Sequence, residues 1–190
     1  MKYSALFIIS LFCVNSLFAQ QKFEREVRID ADAVPAAAID YVKQLQFSSK
    51  IKWFKETGLN TTSFEAKTKY KGKKYSIEFS NDGTLEDVEI IVNKKKLPQK
   101  TYKNISQYLQ KDLSKFKWVK IQIQYSGDEK AVREKIVTGN LTEGLITRYE
   151  LIVSCKLNKK YQKLEYLFSN TGDFIERKTI ILPNTDNLEY

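Results

Sequence analysis

The chain has 190 residues, with 32 Lys and Arg against 23 Asp and Glu, a formal charge of +9. Hydrophobic residues make up 42% of it, enough for a core, and seven glycines and three prolines are too few for a collagenous or low-complexity chain. It contains no histidine, which excludes His-based triads, His general bases and zinc sites that need imidazole.

Residues 1–19 have the order of a secretory signal peptide. Lys2 gives a positive start, Ala5 to Phe18 is mostly apolar, and Ala19 precedes the polar Gln20-Gln21-Lys22. The run is too short to span a bilayer. Export with cleavage after Ala19 is therefore expected, to the periplasm or beyond, with no membrane span in the mature chain. The bulky Phe12 ahead of Cys13 excludes a lipobox. Removing the signal takes Cys13 with it, so Cys155 is left without a disulfide partner. Cys155 lies in an alternating apolar run and has no histidine to activate it, which fits a buried structural thiol.

After a strand over Phe23–Ile29, one unit of sequence occurs twice. Val34-Pro35 opens a helix to about Gln46, and Leu97-Pro98 opens another to about Leu113. Proline suits a first helical turn, where its missing N–H costs nothing. Lys50-Ile51-Lys52-Trp53-Phe54-Lys55 follows the first helix, and Lys115-Phe116-Lys117-Trp118-Val119-Lys120 follows the second. Strand-like runs come next. Phe64, Ala66, Thr68 and Tyr70 alternate with charged residues, as do Tyr75, Ile77 and Phe79; the second copy has Val153, Cys155 and Leu157, then Leu164, Tyr166 and Phe168. Ser80-Asn81-Asp82-Gly83 and Ser169-Asn170-Thr171-Gly172 supply matching turns. The second copy carries an insertion near 127–144 with a short helix over Asp128–Ile136.

The pattern predicts an α+β fold of two tandem repeats, each a helix packed on one face of a four-stranded antiparallel sheet. The expected units are residues 20–93 and 94–190.

These residues carry a resemblance. Val34-Pro35-Ala36-Ala37-Ala38, Lys52-Trp53 and Tyr75-Ser76-Ile77-Glu78-Phe79-Ser80-Asn81-Asp82-Gly83 resemble the PepSY-like domain. More closely, they are similar to the β-lactamase-inhibitor-like, PepSY-like exported proteins of gram-negative bacteria. The resemblance implies no catalytic residues. It implies a sheet surface presented to a protein partner, as in inhibitor relatives, or restraint of a peptidase, as in PepSY domains; fold analogy by itself transfers neither target.

The candidate chemistry is sparse. No nucleophile–base pair, phosphate loop or metal cluster is visible, so no enzyme activity, cofactor or metal is expected. Glu86 and Asp87 point to opposite strand faces, which argues against calcium there. The basic residues are nearly all lysine, whereas nucleic-acid sites favour arginine, so no nucleic-acid partner is expected. The expected function is that of an exported binding module, an inhibitor or modulator of a protein partner; the alternative is an envelope-associated binder of an anionic polymer or ligand. Period two sends Lys67, Lys69 and Lys74 to the face away from the first helix, and Ile152, Lys156, Lys163 and Leu167 to the same face of the second unit. Those seven residues are the expected partner-binding set, with lysines steering an acidic partner and the apolar pair anchoring it.

Overall fold

The computed structural model describes residues 20–23, 25–58 and 61–181. The expected signal peptide and its cleavage point lie outside the described residues. The helices form where the prolines announce them. Pro35 and Pro98 stand at the N-caps of α1 (Ala36–Gln44) and α2 (Gln99–Asp112), both with φ near the proline value. The third helix, α3 (Glu129–Thr138), starts at Asp128, whose side chain accepts from the backbone N–H groups of Lys130 and Ala131. It stops at Gly139 in the left-handed conformation.

The strands are β1 (Gln20–Phe23), β2 (Arg25–Ile29), β3 (Lys52–Thr57), β4 (Thr62–Tyr70), β5 (Lys73–Ser80), β6 (Leu85–Ile91), β7 (Phe116–Gly127), β8 (Leu145–Leu157), β9 (Lys160–Ser169) and β10 (Phe174–Ile181). They form one sheet in the order β1-β10-β9-β8-β7-β6-β5-β4-β3-β2. Every pairing is antiparallel except β1 with β10.

This overturns the expected pair of four-stranded sheets. β6 and β7 pair directly, Ile90 opposite Ile123, so hydrogen bonding is continuous where two units were expected to part. The physical reason is that neither β6 nor β7 is left as an open edge; pairing them satisfies both rows of backbone groups. β1 and β2 are neighbours in the chain yet lie at opposite ends of the sheet order. The sheet therefore curls until its two end strands, β1 and β2, approach each other, leaving a convex and a concave face.

The helices cover the convex face. Phe64, Ala66, Ile77, Phe79 and Val88 are buried beneath α1, with the Tyr41 and Phe79 rings edge-to-face at 5.9 Å. Leu151, Val153, Leu164, Tyr166 and Phe168 are buried beneath α2, where Tyr108 meets Phe168 at 5.6 Å. Both stripes face the helices as their period-two spacing requires. Bulges keep the parity in step. Phe79 pairs with Leu85 while Glu78 pairs with Asp87, so Glu86 is the extra residue and Leu85 stays in the core.

The insertion belongs to the first core. Val132 of α3 is completely buried in the cluster under α1, Arg133 donates to Gln44 Oε1 at 2.6 Å, and Tyr41 Oη donates to the Glu129 carbonyl. Trp53 is buried, and Trp118 stacks on Tyr102 at 5.9 Å. Cys155 is buried and free.

Candidate binding face

Alternation along each strand sends every second residue to the concave side. On a flat sheet that side would be wet. Curling brings the side chains of distant strands together, and a cavity of about 810 Å³ results, lined from β1 to β8 by Lys22, Glu26, Phe54, Lys67, Gln122 and Glu150 among others. Its floor is acidic. Glu56, Glu65, Glu89 and Glu150 line it at no more than 9% exposure, with Gln122 at 3%, and Glu165 is buried on the same face of β9 beside it.

Lysines answer part of this charge. Lys67 donates to Glu26, lies 2.8 Å from Glu65 Oε2 and sits 4.8 Å from the Phe54 ring centre. Burial lowers its pKa, but the hydrogen bonds to Glu26 and Glu65 outweigh that and leave it raised. Lys22 donates to Glu165 at 2.9 Å, and Lys120 lies 4.0 Å from Glu150. Ser76 Oγ donates to Glu65, and Gln122 Nε2 donates to Glu89.

At the centre the carboxylates crowd one another. Burial pushes Glu78 well above the usual carboxylate range, and the charges of Asp87 and Glu89 push it further. Burial, then Glu150 and Asp87, do the same to Glu89. Asp87 is raised to about 7, chiefly by burial and then by Glu150. Burial and Glu165 raise Glu150.

The expected partner-binding residues divide into two groups. Lys67, Lys69 and Lys74 line the cavity together, although Lys67 is already engaged with two glutamates. Lys156, Lys163, Ile152 and Leu167 lie on β8 and β9 and do not line it. Ile152 and Leu167 are half-buried; Lys156 and Lys163 are exposed. Lys156 Nζ rests 5.6 Å from the Tyr161 ring centre.

The acidic floor is not among the residues expected to bind a partner. Its signal was visible in the parity that places Glu65 opposite Glu78, and Ser76 opposite Glu89, on one face. What the parity lacked was the curvature that buries them.

No family model matches the chain, and no curated protein matches it. Solved structures do. A DUF2874 family protein from Bacteroides ovatus superposes with a TM-score of 0.52 at 9% identity, over 78% of this chain and 89% of that one. A protein from Bacteroides eggerthii, assigned to the periplasm by name only, gives 0.52 at 12% identity over 77% and 88%. A BLIP-like protein from Bacteroides fragilis gives 0.48 at 16% identity over 83% and 92%. No helix among the described residues is long and apolar enough to cross a membrane. The chain thus shares its fold with the Bacteroides ovatus and Bacteroides eggerthii structures, and at these identities the likeness is one of fold.

Proposed function

We propose that the protein is an exported, non-enzymatic binding module that takes a protein partner on its concave sheet face. The observation that supports this is the buried charge on a face that is not the core. Burying five glutamates at 4–9% exposure costs stability, because desolvation of an ion outweighs much of its pairing energy. A sheet selected for stability alone would carry apolar or fully solvated residues there. The exposed Lys52, Lys69 and Lys74 around the acidic floor give the face two charge zones. Lysines at the rim steer an acidic surface toward it, and the floor accepts a basic side chain from the same partner.

The test is cross-linked capture from envelope extracts with the mature protein, followed by binding of the captured partner to variants. Lys69→Glu with Lys74→Glu should slow association, whereas Lys111→Glu on the outer helix should not. Unchanged binding by the double variant would overturn the reading. The lysine rim also favours a second occupant, an anionic envelope polymer, whose binding should collapse with added salt.

A further inference from the structure

Lysine is concentrated at one end of the sheet. Residues 66–77 hold five lysines and residues 151–164 hold four, and neither stretch contains an acidic residue. Each stretch spans a hairpin, β4–β5 in the first case and β8–β9 in the second. From β2 to β10 every pairing is antiparallel, so the strands alternate in direction and both hairpins close at the same end. β7 lies between them in the sheet order and starts at that end, beside the exposed Lys115 and Lys117. The turns at the other end are closed by carboxylates instead. Asp82 accepts from the Thr84 N–H, Asp128 from the Lys130 N–H, and Asp173 from Ser169 Oγ.

The two lysine-rich tips are built alike. Tyr70 pairs with Lys73 and Leu157 with Lys160, which leaves Lys71-Gly72 and Asn158-Lys159 as two-residue turns. All four turn residues have positive φ, from 47° to 74°, as a type I′ turn requires, and asparagine and glycine make that turn most cheaply. Lysine at two of these positions costs stability, and among the described residues neither Lys71 nor Lys159 makes an ion pair that would offset it. Beside each turn an ammonium rests over a tyrosine ring: Lys71 Nζ is 5.0 Å from the Tyr70 ring centre, and Lys156 Nζ is 5.6 Å from that of Tyr161. Tyr161 is 82% exposed, more than any other large hydrophobic side chain among the described residues. Solubility accounts for the lysines but not for a ring held in water beside them.

We propose that this end of the sheet rests on a bilayer surface with anionic phospholipid headgroups, the two hairpin tips making the contact. Each lysine brought to such a surface strengthens binding by about fivefold. The attraction decays within about 8 Å at physiological ionic strength, so it falls to the lysines that project furthest from the sheet: Lys71, Lys73, Lys159 and Lys160, all exposed. Tyrosine suits the headgroup layer, since its ring is apolar and its hydroxyl stays wet. An anionic polymer would gain more from the lysine-rimmed cavity than from two separate convex tips. None of the four lysines lines that cavity, so the protein can sit on a membrane with its concave face still open to a partner.

The mature protein is floated with vesicles of equal parts phosphatidylglycerol and phosphatidylcholine, and with vesicles of phosphatidylcholine alone. Binding to the first and little to the second is expected, weakening as salt is added. Lys71→Glu with Lys73→Glu should weaken binding by at least about tenfold, and so should Lys159→Glu with Lys160→Glu. Lys100→Glu with Lys130→Glu makes the same charge change at the other end of the sheet and should alter binding by less than about twofold. Tyr161→Ser should lower the binding that persists at high salt, with circular dichroism and the unfolding midpoint unchanged. The assignment is overturned if the anionic vesicles do not bind, or if Lys100→Glu with Lys130→Glu loses as much as either tip variant. Equally tight binding to soluble polyglutamate, with Tyr161→Ser behaving as wild type, would give the lysines to an acidic polymer or protein and overturn it too.

Discussion

Gln122 on β7 donates its side-chain amide to Glu89 on β6, and both residues are buried on the face of the sheet opposite the helices. They are diagonal neighbours, since Glu89 pairs with Gln124 and Ile91 with Gln122. The contact crosses the seam at which two separate sheets were expected to meet. The sheet's continuity and its acidic floor are therefore established at the same place.

Stability should fall as pH rises from about 5 to 8. Asp87 has a folded pKa of about 7, against about 3.9 unfolded. Between those values the folded chain binds more protons than the unfolded one, so raising pH favours unfolding. Glu78, Glu89 and Glu150 act in the same direction, while Lys22 and Lys120 oppose it. The loss should be on the order of 1–3 kcal/mol by urea unfolding, discounted for relaxation around the site. Asp87→Asn should flatten the profile. A wild-type profile that rises over this range would contradict it.

Lys67→Met should destabilise the fold by about 1–3 kcal/mol, since it leaves Glu65 buried without its cation. Lys67→Met combined with Glu65→Gln should cost less than the two single changes together. Additivity in a double-mutant cycle would show that the pair is not coupled.

Gly83→Ala and Gly172→Ala should each cost about 2–4 kcal/mol. Both glycines have φ of +88°, and an added Cβ would lie 2.8 Å from Pro35 Cβ or 2.7 Å from the Thr101 carbonyl oxygen. These turns seat the helix starts on the sheet; Thr101 Oγ1 and Asn104 Nδ2 donate to the carbonyls of Asn170 and Thr171. Urea midpoints measured by circular dichroism give the cost.

Val132→Ala should destabilise by about 1–2 kcal/mol, and Asp128→Ala by about 1 kcal/mol through loss of the helix cap. If α3 were only a tolerated insertion, neither change would move the unfolding midpoint.

Local order was legible where short-range rules decide it. Proline at the helix entries, glycine in the hairpin turns and strict alternation in Phe64–Tyr70 and Leu164–Phe168 gave both helices and both core stripes. The separation of Glu86 from Asp87 was legible too. The capture of Val132 by the first core was not, because nothing local tells a loop helix which neighbour it will cover.

The sequence by itself determined which side chains share a face, since period two is a property of the extended chain. Only the tertiary structure decided what that face is. The β6–β7 pairing joined the strands into one sheet, and β1 and β2 brought its ends together. Curvature then turned a row of strand glutamates, ordinary on an open sheet, into a buried acidic floor. Backbone pairing between distant strands and the sum of many small twists set that curvature, and neither is written in any local run of residues.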